Sequence, residues 1–195
     1  AATAGHALME LGPDRVSSRR LIAVVSIVAF VVFSGGLKRA LLARAARDVG
    51  LVRVGAVAPD FTLPDVNGRA VSLHQVAAQH DVTLVTFWAT WCLPCRLEMP
   101  DLVEAWERHR NDGLELLADN TEQDTPKAKA FAEERKLPFP VLIDDGSVQA
   151  QYGIDTLPTA FMIGRHAVVL WAQSGPLNAA AMVTVLLMCR EHVRV

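Results

Sequence analysis

Apolar residues run without a charge from Leu21 to Leu37 (LIAVVSIVAFVVFSGGL), then give way to an Ala/Arg-rich stretch over 38–54. An uncharged run of that length is just enough to cross a bilayer as a helix. A buried core helix is the alternative, but cores rarely need so long an uncharged run flanked by basic residues on both sides. From Gly55 onward the pattern changes to short segments of globular type. Phe61–Leu63 alternates in strand fashion, 65–68 (DVNG) is a turn with Gly where a positive φ is wanted, and Ala70–Leu73 returns, which predicts a β-hairpin. A short helix is expected over His74–His80. Val82–Trp88 is a continuous apolar run of the kind buried on both faces of a parallel sheet.

A helix is expected from about Cys92 to Arg110, with Leu97, Leu102 and Trp106 inward, Glu104, Glu107 and Arg108 outward, and Pro100 kinking it. Leu114–Ala118 reads as a strand. Thr125 reads as an N-cap, with Pro126 at the first position of a helix to Lys136. Val141–Ile143 is a short strand and Val148–Tyr152 a short helical turn. Thr159–Ile163 and Val168–Trp171 flank a turn at 164–166, and Asn178 caps a last helix to about His192. Strands alternating with helices, followed by an antiparallel pair and a helix, predict an α/β sandwich around a central mixed sheet.

Four stretches follow from this pattern: a polar leader at 1–20, a transmembrane or signal-anchor helix at 21–37, a juxtamembrane linker at 38–54 and the folded domain at 55–195. Residue 1 is Ala, and Met9 is the expected translation start. Lys38, Arg39, Arg44 and Arg47 directly after the span favour a retained anchor over a cleaved signal, and without a Cys after the run no lipid anchor is expected. Charge alone leaves the orientation contested. Arg15, Arg19 and Arg20 precede the span but five basic residues follow it, which leans towards a cytoplasmic C-terminal domain.

A formal net charge of −2 at pH 7, with no basic stretch that also carries stacking aromatics, sets nucleic acid aside. Three cysteines, Cys92, Cys95 and Cys189, are too few for a disulfide-stapled scaffold. Cys92 and Cys95 follow the Val82–Trp88 strand in the pentapeptide Trp91-Cys92-Leu93-Pro94-Cys95. That spacing lets the two thiols close a small ring, and the strand-to-helix junction lifts the first towards solvent. A zinc ribbon would need a second Cys or His pair, and Cys189 with six scattered His gives no such spacing, so no metal is expected. At a helix start the unpaired amides and the dipole stabilise the Cys92 thiolate, making it the nucleophile. Cys95, one turn deeper, is left to resolve a mixed disulfide. Pro94 suits the first turn because its missing N–H would have no helical partner. Glu98 lies one turn beyond Cys95 on the same face, where a first-turn acid also complements the dipole. Cys189 reads as a buried bystander.

The stretch VTLVTFWATWCLPCRLEMPDL resembles the active-site region of the thioredoxin superfamily, specifically its TlpA/ResA-like membrane-anchored thiol-disulfide oxidoreductases. APDFTLPDVNGRAVSL is similar to that group's N-terminal hairpin, and FPVLIDDGSVQAQYGIDTLPTAFMI to its inserted helix-strand segment and cis-proline loop. The likeness covers about Val54 to Gly175. It implies a thioredoxin-like fold, a cis Leu157–Pro158 peptide beside the cysteines, and a substrate segment that lies along the Leu157 backbone near Trp91, Leu93 and Pro94. It implies a proton-moving role for Glu98, weighted further because Thr86 occupies the strand position where ordinary thioredoxins carry a buried Asp. It implies no cofactor beyond the redox-active Cys92–Cys95 disulfide. The expected function is reduction of protein disulfides on the extracytoplasmic side of a membrane, with apocytochrome c or copper-site assembly factors as clients and a transmembrane thiol carrier as electron source. The alternatives are a Cu(I) metallochaperone using the same thiols, or a net disulfide oxidase or isomerase.

Overall fold

The computed structural model describes residues 50 and 52–193. The leader, the span at 21–37 and most of the linker lie outside the described residues. Among the described residues no helix is long and apolar enough to cross a membrane.

A five-stranded sheet has the order β5-β4-β3-β6-β7, with β3 Val82–Trp88, β4 Leu114–Asn120, β5 Val141–Ile143, β6 Thr159–Gly164 and β7 Val169–Ser174. The first three run parallel, while β6 and β7 are antiparallel additions on the other side of β3. The expected mixed sheet is therefore present. The hairpin forms from β1 Thr62–Pro64 and β2 Ala70–Ser72, with Gly68 at φ 81° in its turn. Asp65 stabilises that turn by accepting from the Asn67 and Arg69 backbone N–H groups and pairing with the Arg69 side chain.

Strand β3 is the centre of the sheet because every one of its residues is buried. Its alternation feeds two cores. Leu84 and Trp88 join residues of α2 (Leu93–His109), α3 (Thr125–Arg135) and α5 (Ala179–Val193). Val85 and Phe87 face the other way, towards the hairpin, α1 (Leu73–Gln79) and α4 (Ser147–Tyr152). An apolar run without polar alternation is what two covered faces require.

Two local expectations are corrected. Leu97, expected to face inward, is 70% exposed. The inward residues of α2 are Cys95, Glu98, Met99, Leu102 and Ala105, a 3.6-residue repeat that turns Leu97 out. The other correction concerns α3, which starts at Thr125 and is capped by Asp124, whose carboxylate accepts from the Lys127 N–H. Asp holds that position as readily as Thr. Helix α2 runs through Pro100 to His109, and the last helix is capped by Asn178 as expected.

Candidate active site

Strand β3 ends at Trp88, and a tight turn brings the chain to Cys92, whose N–H donates to the Ala89 carbonyl at 3.1 Å. Cys92 is the N-cap of α2, in an extended conformation (φ −77°, ψ 104°). Its carbonyl accepts the first helical bond from Arg96 N–H, and its Sγ accepts from Cys95 N–H at 3.3 Å. One first-turn amide, that of Cys95, thus points at this sulfur, and the positive end of the dipole adds to it. Pro94 stands in the first turn, where no N–H is needed. The two sulfurs are joined in a disulfide with an S–S distance of 2.04 Å. Cys92 is 4% exposed, and Cys95 is fully buried.

Glu98 lies one turn below Cys95 on the buried face of α2. Its Oε2 accepts from the Leu177 N–H at 3.0 Å, tying α2 to the loop before α5. Burial pushes its carboxyl up to about 7, the Leu177 hydrogen bond opposes that shift, and the negative charge of Asp101 adds to it. Thr86 is fully buried with its hydroxyl unpartnered within the protein, so β3 supplies no acid at the place where an ordinary thioredoxin has one.

The Leu157–Pro158 peptide is cis, as the resemblance implied. Pro158 precedes Thr159, which pairs with Phe87 of β3, so this loop enters the sheet level with the turn that carries the cysteines. Leu157 is half-buried and packs against both cores. Trp91 and Leu93 are 69% and 61% exposed, and Pro94 is also exposed. Trp88, by contrast, is buried against the Phe131 ring at 4.9 Å. Arg96 leans over that same ring at 6.0 Å. Cys189 is buried, and desolvation pushes its thiol up to about 12.

Sequence reasoning passed over Glu122. Its Oε2 accepts from both the N–H (2.9 Å) and the hydroxyl (2.5 Å) of Thr90, two residues before Cys92, while Lys127 lies 3.6 Å from Oε1. The contact spans 32 residues, so only the parallel pairing of β3 with β4 reveals it. Among the described residues no group of three or more His, Cys, Asp or Glu side chains is placed to hold a metal ion. What this arrangement can do chemically is exchange a disulfide: the first sulfur caps the helix start in a positive field, nearly buried rather than lifted to solvent as expected because it packs into the core with Cys95 and Met99, and the second lies fully buried one turn behind it.

That chemistry on this sheet defines a thioredoxin-like thiol-disulfide oxidoreductase, and the chain is an enzyme of this class. Residues 54–172 match the AhpC/TSA family, and the chain belongs to that family. It is similar to the thiol-disulfide oxidoreductase ResA of Geobacillus thermodenitrificans (strain NG80-2), at 38% identity over 60% of this chain and 67% of that protein. The thioredoxin-like protein YneN of Bacillus subtilis (strain 168) is 36% identical over 63% of this chain and 72% of its own length. Among solved structures, a putative thiol:disulfide interchange protein DsbE from Chlorobium tepidum superposes with a TM-score of 0.65 at 30% identity, covering 71% of this chain and 99% of that one. StoA from Bacillus subtilis superposes with a TM-score of 0.57 at 26% identity, covering 68% and 98%.

Proposed function

We propose that the enzyme is a membrane-tethered dithiol reductant of protein disulfides on the extracytoplasmic side of a membrane. The observation that carries this reading is the placement of Cys92 at the N-cap of α2 with Cys95 buried one turn behind it. In the reduced enzyme the Cys92 thiolate attacks one sulfur of the partner disulfide. A Cys92–partner S–S bond forms, the partner's own S–S bond breaks, and its second sulfur leaves as a thiolate that takes up a proton. Cys95 then loses its proton and attacks Cys92 Sγ, closing the Cys92–Cys95 disulfide and releasing the partner's remaining thiol. Two electrons have passed to the partner.

Glu98 is the group we assign to receive the Cys95 proton. It shares the buried face of α2, and a carboxyl titrating near 7 accepts and returns a proton at neutral pH. Trp91, Leu93 and Pro94 bound the exposed side of the sulfur, and the Leu157 backbone beside cis-Pro158 is assigned to hold an extended substrate segment by strand addition. The active group is the Cys92–Cys95 disulfide itself, without a further cofactor.

Residues 21–37 are assigned as the tether, with the domain in the oxidising compartment, where a reductant of disulfides has substrates. Apocytochrome c and copper-site assembly factors are the client classes, and a transmembrane thiol carrier recharges the pair. The test is Cys95→Ser in the full chain, which leaves Cys92 unable to shed a captured partner. Mixed disulfides through Cys92 to extracytoplasmic proteins, lost again in Cys92→Ser, are the expected result. Exclusive capture of cytosolic proteins would refute the compartment. Stoichiometric Cu(I) retention with no trapped partner would refute the reductant.

A further inference from the structure

The turn that delivers Cys92 to the helix start is clamped by an acid from another element. Residues 89–92 close that turn through the Cys92 N–H and the Ala89 carbonyl at 3.1 Å, which leaves the Thr90 N–H without a partner in the turn. Glu122 Oε2 accepts this N–H at 2.9 Å and the Thr90 hydroxyl at 2.5 Å. The loop that carries Glu122 is itself fixed to the end of the sheet. The Thr121 N–H donates to the Trp88 carbonyl at 3.0 Å, and the Glu122 N–H donates to Asn120 Oδ1 at 3.2 Å.

A neutral side chain could brace such a turn equally well. A carboxylate also brings a negative charge towards the sulfur that must ionise. By the dimensions of the turn, that charge stands about 10 Å from Cys92 Sγ, which is about one Debye length in 0.1 M salt. The Glu122 side chain is only 12% exposed, so solvent screens it weakly. Lys127 does not cancel it. Its ammonium is 65% exposed, lies 3.6 Å from Glu122 Oε1 and sits closer, at 2.8 Å, to Asp124.

We propose that Glu122 is a positioning residue that sets the reactivity of Cys92: it fixes the turn, and its charge opposes the helix start, destabilising the Cys92 thiolate and so keeping the pair reducing. This rests on the proposed role of Cys92 as the attacking thiolate. The helix start favours the thiolate and with it the dithiol form, and a nearby negative charge takes back part of that stabilisation. The thiolate that remains is the better nucleophile, because nucleophilicity falls as a thiol becomes more acidic.

The test is the pH dependence of Cys92 alkylation by iodoacetamide in the reduced full chain carrying Cys95→Ser. Cys189 stays silent because it is buried and its thiol is pushed up to about 12. The other charged groups on the elements around Cys92 are Arg96, Glu98 and Asp101 on α2, Asp124 and Lys127 at the start of α3, and Asp155 before cis-Pro158, and all of them remain. Glu122→Gln keeps an oxygen acceptor for Thr90 and removes the charge. Its alkylation midpoint should fall by about half a pH unit or more. Thr90→Val removes one of the two bonds that hold the carboxylate, and should move the midpoint the same way by a smaller amount. A brace with no electrostatic part acts with the opposite sign, since a loosened helix start lets the midpoint drift up towards the ordinary thiol value of about 8.5. An unchanged or higher midpoint in Glu122→Gln, or in Thr90→Val where Glu122→Gln does not fold, overturns the proposal. Absence of Cys92 alkylation at every pH overturns its role as the nucleophile, and the role of Glu122 with it.

Discussion

Glu98 carries an acid into the core one turn from a buried sulfur, and its energetics can be read from pH. Its carboxyl titrates near 7 in the fold, against 4.5 for an ordinary glutamate, because burial penalises the charge more than the Leu177 N–H relieves it. The folded state therefore binds the proton more tightly than the unfolded chain. Its contribution to stability is fully present below pH 4.5 and is lost as pH rises through about 7. The loss across that window is on the order of 3 kcal/mol. Glu98→Gln keeps an acceptor for Leu177 but has no charge to bury. Urea unfolding at pH 5 and pH 8 should show this part of the pH dependence in the wild type and its absence in the variant. Equal pH dependence in the two proteins would mean that Glu98 is not the titrating group.

At the scale of elements, both strands flanking the site bury polar groups without partners in the protein: Thr83, Thr86 and Trp88 on β3, Asp119 and Asn120 on β4. Only on β4 is one of these groups an acid. Strand β4 places Asp119 fully buried beside Phe87 and Leu142, with neither carboxylate oxygen bonded within the protein. Burial and the neighbouring Asp144 hold its carboxyl well above the usual range. Removing a buried polar group without a partner favours the fold, so Asp119→Val should stabilise the protein by about 1–3 kcal/mol. The gain should be larger at pH 8 than at pH 4, as measured by chemical denaturation. A destabilised variant would show that the carboxyl has a partner the fold depends on.

The same elements show what could be read from sequence. The β3 run, the hairpin turn and the Cys92–Cys95 spacing were legible because each is a local signal. Cys92 sits at the helix start because Pro94 and the strand before it leave little choice. The face of α2 was not legible. Leu97 is as apolar as Leu102, and only the packing of Cys95 and Met99 under the sheet chooses between the two phases. The Asp124 cap was missed for a smaller reason: Asp and Thr at consecutive positions are both good caps, and the helix began one residue earlier than Pro126 suggested. Glu122 was illegible because its bond to Thr90 exists only once β4 lies beside β3.

For the whole molecule, the two cores place the redox pair at the end of the sheet's central strand, with Cys92 capping α2 and Cys95 fully buried behind it. The disulfide and the acid below it both belong to α2, while the cis-proline loop comes from the other side of β3. The central claim is that this pair stores two electrons and gives them to protein disulfides. Its midpoint potential tests that most directly, measured by equilibrating the full chain with dithiothreitol buffers and counting the thiols of Cys92 and Cys95. A reductant in an oxidising compartment requires a single two-electron transition below about −200 mV. A midpoint near about −120 mV, where a strong disulfide donor sits, would contradict it.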